Sequence, residues 1–268
     1  SIIMRRYTIT IIITALILCL TALPALGEMQ VSRLEGEQYF PSEKNWTYHF
    51  VYAYPQVAGQ DYTAALINDT YQMALSDMLN VTLPMFANAP DMRFDGRNLV
   101  THDFTVTCNN GRVLSILEMR TQTMGEDGTR YALEPMVFDV GGMYDGETLT
   151  LRGVTLIQAG VDPERLEDAE PELYPDIAFI IDGSSTEMAE ALLPILYQEY
   201  RDLQEKGITL PDISLEDFAD ECVPTRDFYT DAEGRLVFFI PPMLLTEPSF
   251  DVPVFSFTPA ELNDLLNP

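Results

Sequence analysis

The sequence predicts an α+β fold of antiparallel hairpins packed with a few helices, and three observations carry that expectation. Runs rich in aromatic and β-branched residues are joined by short turns such as Asn110-Gly111, Asp145-Gly146 and 231–234, as hairpins require. Helical patterns stand apart from these hairpins instead of alternating with them, which argues against a doubly wound sheet. The chain of 268 residues is 47% hydrophobic and 21% charged, enough apolar material for a substantial core and too much for a disordered chain.

The elements follow in order. Met4-Arg5-Arg6 is basic, residues 9–23 are apolar apart from threonines, and Ala25 and Gly27 stand at the −3 and −1 positions of a cleavage site. This predicts a signal peptide over residues 1–27 and an extracytoplasmic protein, secreted or associated with the cell envelope. If the segment were kept it would anchor the chain, but its apolar run is shorter than the roughly 20 residues that span a bilayer comfortably. Leu18 before Cys19 does not suit a lipoprotein cysteine. Residues 28–45 read as a loose polar leader. Residues 48–54, YHFVYAY, read as a strand ended by Pro55. Asp61 then caps a helix with Ala64, Ile67, Tyr71, Leu75 and Met78 on one face. Residues 83–96, with Pro84 and Pro90, read as irregular.

The clearest hairpin joins 102–108 to 113–121 through Asn110-Gly111. A two-residue turn there sets Cys108 opposite Val113, Val106 opposite Ser115 and Phe104 opposite Leu117, all on one buried face. Residues 131–140 form the next strand, and 148–151 resume after Asp145-Gly146. Residues 161–176 form an acidic, proline-bearing loop, and 177–181 a buried strand. Ser184 and Glu187 form a capping box that opens a helix running toward Lys206, where Gly207 stops it; Pro194 must kink or split this helix. Residues 214–221 make a short helical turn. Residues 226–230 and 235–240 pair across a turn closed by Gly234, and the second arm is apolar on both faces. That favours a sheet centre over an exposed patch. Residues 252–257 read as one more strand. Thr258, Pro259 and Glu261 open a final helix docked by Leu262, Leu265 and Leu266. With no repeat and no interdomain linker, a segment 46–125 and a segment 126–268 are expected to pack as one globular unit.

The chain holds 15 Lys and Arg against 42 Asp and Glu, a formal charge of −27. A phosphate backbone needs clustered cations, so nucleic acid is excluded as a partner, and an anionic membrane surface is disfavoured. A basic partner would be attracted and steered. The candidate binding residues are the acidic loop side chains Asp162, Glu164, Glu167, Asp168, Glu170 and Glu172. The chemistry of a catalyst is sparse. His49 and His102 fall on expected strands, neither at metal spacing, and read as satisfied strand residues. No Gly-x-Ser-x-Gly elbow occurs. Residues 182–185, DGSS, and the acidic turns at 126–128 and 231–234 read as caps and turns, not anion or calcium sites. No catalytic residue, metal or cofactor is expected. Among so many carboxylates some pair will lie at glycosidase distance, so an exported cell-wall glycan hydrolase is the alternative. Past residue 27, Cys108 and Cys222 are the cysteines. They can bridge in an oxidising compartment, a constraint of about 4–5 kcal/mol before strain, or stay buried as free thiols.

The order of elements resembles the RsiV-like family, which includes the extracytoplasmic lysozyme-receptor domain of anti-sigma factors. YAYPQVAG at 52–59, the Ile67-Asn68 pair, NNGRVLSI at 109–116 and MVFDVGGMYDGETLTL at 136–151 are similar to its first segments. DFYTDAEGRLVFFI at 227–240 and FTPAELNDLL at 257–266 are similar to its final hairpin and closing segment. The chain departs from the family at 123–132, TMGEDGTRYA, at 241–252, PPMLLTEPSFDV, and in the acidic loop. The resemblance implies a non-enzymatic exported binding protein, with a basic protein such as lysozyme as its partner. The six residues before the apolar run are too few to hold a sigma factor, so the signalling half of that family is not expected.

Overall fold

The computed structural model describes residues 27–89, 96–141 and 146–268. The expected signal peptide lies outside the described residues except for Gly27, as do Pro90 and Asp145. The fold is α+β. A five-stranded sheet runs in the order β1 (Val31–Phe40), β2 (Tyr48–Val57), β3 (Asn98–Asn109), β4 (Val113–Thr123) and β5 (Thr129–Asp139). Its pairings are antiparallel except β2–β3. A parallel pair needs a long crossover. Here it is α1 (Tyr62–Asp77), a π-helical turn (Met78–Thr82) and α2 (Leu83–Asn88). A three-stranded antiparallel sheet, β6 (Phe228–Thr230), β7 (Leu236–Phe239) and β8 (Val254–Phe257), lies later in the chain with α3 (Leu151–Gln158), α4 (Ala178–Asp182), α5 (Ser185–Glu205), α6 (Leu215–Glu221) and α7 (Pro259–Leu266).

Several sequence expectations hold. Asp61 Oδ1 accepts from the Ala64 amide, and Ala64, Ile67, Tyr71 and Leu75 are buried on one face of α1. The capping boxes Ser184/Glu187 and Thr258/Glu261 are both formed. In β7, Phe238 is 1% and Phe239 2% exposed, so this strand is covered on both faces.

Others are overturned. The expected loose leader is β1, paired with β2 from Val31↔Val57 to Phe40↔Tyr48. Most of its side chains are exposed, so backbone pairing holds it and no hydrophobic alternation announces it. Strand β2 does not end at Pro55 but continues to Val57. It pairs with β3 only from Tyr48 to Tyr52, so beyond that point the edge facing β3 has no ladder. The missing proline N–H costs nothing there, and Asn68 serves the backbone next to it: its Oδ1 accepts from Val57 N (2.7 Å) and its Nδ2 donates to Val57 O (2.8 Å). The segment after the first helix is not irregular throughout, because Leu83–Asn88 is helical.

The hairpin register also differs. The turn centres on Gly111-Arg112, with the Asn110 amide donating to Val113 O and Asn110 Oδ1 accepting from the Arg112 and Val113 amides. Phe104 then sits opposite Glu118 and Val106 opposite Ile116, one residue from expectation, and a bulge between Val106 and Cys108 adds a second step so that Cys108 meets Ser115. Val106 is exposed, not buried.

Residues 148–151 resume only as one bridge, Thr148 to Phe138, before Thr150 caps α3. The expected buried strand at 177–181 is the short helix α4, for a long-range reason. Asn263 Oδ1, from α7, accepts from the amides of Phe179 and Ile180 (3.0 and 3.2 Å). The Arg152 guanidinium, from α3, donates to the carbonyls of Ile180, Ile181 and Leu166. Distant side chains thus serve both ends of a turn too short to stand alone. Helix α5 passes Pro194 as one helix. Pro194 and Glu190 are exposed, so the carbonyl that proline leaves free faces water, while Met188, Leu192, Leu196 and Tyr200 hold the buried stripe. Leu265 is 37% exposed, so Leu262 and Leu266 dock α7 without it.

The large sheet divides two cores. Under α1 and α2 it buries Tyr48, Phe50, Phe104, Leu114, Ile116 and Phe138 with Ile67 and Tyr71. On the other side Cys108, Val113 and Val137 meet α3, α5, α7 and the small sheet. The bulge is what carries Cys108 from the face of Phe104 to the second core. The sheet runs through position 126, because β5 pairs along the whole of β4.

Candidate functional site

The acidic loop between α3 and α4 is built on three single 3-10 turns, Pro163–Arg165, Pro171–Leu173 and Pro175–Ile177, each begun by a proline. Proline presets φ and needs no donor at such a position. Leu166 is 4% exposed and pins the middle of the loop into the second core, and the Arg152 bond to its carbonyl adds a tether. Asp162, Glu164, Glu167, Asp168, Glu170 and Glu172 are all exposed, as expected of a solvent-facing surface. Asp162 Oδ1 accepts from the Glu164 amide. Among the described residues none of the six makes an ion pair with a cationic side chain. The structure brings these candidates into one run of exposed surface.

A second arrangement lies under α1, where the sheet opens into a cleft of about 380 Å³. His102, on β3, is 4% exposed and stacks on Tyr54 with ring centres 3.8 Å apart. Its Nδ1 lies 2.9 Å from the Ala53 carbonyl, which can only accept, so Nδ1 donates. This bond serves β2 just beyond the end of its ladder with β3, as Asn68 does further on. Nε2 lies 2.6 Å from Glu118 Oε1, on β4. With Nδ1 already protonated, that contact requires one proton between ring and carboxyl: the pair is imidazolium with carboxylate, or imidazole with carboxylic acid. The Glu118 side chain makes no other hydrogen bond to protein among the described residues. Tyr71, from α1, is 2% exposed and lines the same cleft, and its hydroxyl has no hydrogen-bond partner among the described residues. Burial, with the charge of Glu118 adding, pushes this phenol well above the ordinary tyrosine range.

No family model and no curated protein sequence matches the chain. Solved structures that resemble it in backbone include two DUF3298 family proteins. One is a DUF3298 family protein from Pseudomonas aeruginosa, 12% identical, with a TM-score of 0.45 over 89% of this chain and 95% of that one. The other is a DUF3298 family member from Bacteroides fragilis, also 12% identical, with a TM-score of 0.46 over 87% and 91%. Neither is close enough in backbone to carry a functional reading.

The paired carboxylates of the hydrolase alternative have one counterpart in the cleft. Glu118 faces Glu134 directly across β4 and β5. Both are engaged, Glu118 by His102 and Glu134 by Arg120 Nη1 at 2.9 and 3.0 Å. Among the described residues no cluster of His, Cys, Asp and Glu could hold a metal ion, and no helix is long and apolar enough to cross a membrane. Cys108 and Cys222, the candidate bridge, are both buried free thiols. Burial raises both, Cys222 to about 12, so neither is an activated nucleophile. His49, on β2, stacks on Tyr39 and meets Glu37 Oε2 at 2.9 Å, a satisfied strand residue as expected.

Sequence reading found His102 on its strand and missed its partners. In the expected register Glu118 falls on the opposite face from His102; the one-residue shift brings the two to the same face. The only local signal was an acid inside a short apolar stretch, Ile116-Leu117-Glu118-Met119.

Proposed function

We propose that the protein is an exported, non-enzymatic binding module for a basic protein such as lysozyme. The supporting observation is the acidic loop: six exposed carboxylates within eleven positions, none paired with a cation among the described residues, on a chain of net charge −27. Such a surface raises the encounter rate with a cationic partner and adds less to affinity once the partner has docked. The loop is pre-shaped by its prolines and held at Leu166, so little ordering is needed on binding.

The test is association with lysozyme by stopped-flow across a salt series. The rate should fall steeply as salt rises, because charges beyond about 10 Å are screened near 0.1 M ionic strength. Changing the six acids to Asn and Gln should lower the low-salt rate about ten-fold or more and flatten the salt dependence. No binding at low salt by the unchanged protein refutes the partner. The same preparation assayed on peptidoglycan should show no turnover, which separates this reading from the glycan hydrolase.

A further inference from the structure

We propose that the cleft beneath α1 is a binding site for an alkylammonium group. Three observations meet there. Tyr71 is 2% exposed and carries a hydroxyl without a partner among the described residues. A buried hydroxyl left unpaired is costly, and native proteins keep few of them. Glu118 is 7% exposed, engages His102 through Oε1, and accepts no hydrogen bond at Oε2 among the described residues. Both side chains line the cleft, the charge of Glu118 acts on the Tyr71 phenol, and a small shift of the Tyr71 ring would offer its buried oxygen to a donor beside Glu118.

The charge around the cleft selects the sign of the ligand. Its lining carboxylates are Asp77, Glu118 and Glu134. Arg120 is spent on Glu134 and His102 on Glu118, while among the described residues Asp77 takes only a hydroxyl bond, from Thr82. One negative charge is left over, in a protein already strongly acidic. An ammonium has three donors and no acceptor, which suits Glu118 Oε2, the Tyr71 oxygen as acceptor, and one further carboxylate. The apolar lining, Ala74, Met78 and Met136, suits a short hydrocarbon stem, and methionine adapts to such a shape. The ammonium can come from a free amine or from a lysine side chain. The site uses α1 and the large sheet, not the acidic loop, so it stands apart from the function proposed above.

The experiment titrates the full protein with n-butylammonium chloride and, separately, with Nα-acetyl-lysine methylamide. The His102 ring and the Met78 and Met136 methyl groups are followed by NMR, with 1-pentanol as the uncharged control. Both amines should give saturable shifts at these groups and pentanol should give none. Tighter binding of the lysine derivative assigns the site to a partner's lysine, tighter binding of butylammonium to a free amine, and either supports the alkylammonium site. Tyr71→Phe keeps the ring and removes the unpaired hydroxyl. It should weaken amine binding about ten-fold without lowering the melting temperature. Glu118→Gln should weaken binding by at least as much. The six-acid loop variant should bind butylammonium as the unchanged protein does, so either proposal can fail without the other. Absence of saturable shifts, equal response to pentanol, or unchanged binding in Tyr71→Phe overturns the site and leaves the Tyr71 hydroxyl to water.

Discussion

Cys222 is 2% exposed and its thiol is raised to about 12 by burial, with Asp227 the next contributor. Cys108 is equally buried, with Thr230 and Gln158 beside its sulfur, Gln158 Nε2 at a long 3.9 Å. The thiolate is the reactive form, so both should resist a thiol reagent in the native state at neutral pH and react together on unfolding. Fast labelling of one cysteine before unfolding, or no free thiol after it, would contradict this arrangement. At Asn68 the prediction concerns stability. Asn68→Leu keeps the bulk but strips both bonds from the Val57 backbone, and should cost about 1–3 kcal/mol in denaturant unfolding. These residue roles were legible unevenly. The burial of Cys222 follows from its type. Asn68 stood out in the sequence only as half of a family-like pair, with no task attached, because its task is set by a ladder that stops five residues short of Val57.

Among the elements, α4 and α7 depend on one another. Asn263 gives α4 its amide partner, so Asn263→Leu should leave two N–H groups unserved, at about 1–3 kcal/mol each. Hydrogen exchange should then show α4 opening before α5. Helix α7 also carries a pH signature. Glu261 lies below the usual carboxylate range because it accepts from the Thr258 amide. A depressed acid stabilises above its unfolded value of about 4.3 and loses that contribution as pH falls through its lower folded value. The difference in melting temperature between the protein and Glu261→Gln should therefore be present at neutral pH, begin to shrink as pH falls below about 4.3, and be lost once pH is below the depressed folded value. Both capping boxes were readable because they are local. The identity of 177–181 was not: IAFII has the look of a strand, and the groups that make it a helix lie in α3 and α7. The edge strand β1 escaped for a different reason, since most of its side chains are exposed and a strand held chiefly by backbone bonds shows little alternation.

At the scale of the molecule, the α+β class and the covered C-terminal hairpin followed from composition and alternation, which report burial directly. The cleft did not, because one bulge and one displaced turn decide which side chains of β3 and β4 share a face. The close approach of Gly141 to that turn is a whole-fold constraint of the same kind. A Cβ on Gly141 would lie 2.6 Å from the Gly111 carbonyl oxygen, a backbone atom with no room to give. Gly141→Ala should shift the hairpin tip and destabilise the fold by about 1–3 kcal/mol, read from its unfolding midpoint.

The two cores also differ in when they can close. The first draws only on residues 29–140, whereas the second needs side chains as late as Leu266. A chain emerging from its N-terminal end can therefore finish one half early, with Val113 and Val137 turned toward water until the last helix arrives. During synthesis or passage through a pore, that unfinished half is an adhesive surface. A nascent form halted before α7 should bind a hydrophobic dye and recruit holding chaperones, and the completed chain should do neither.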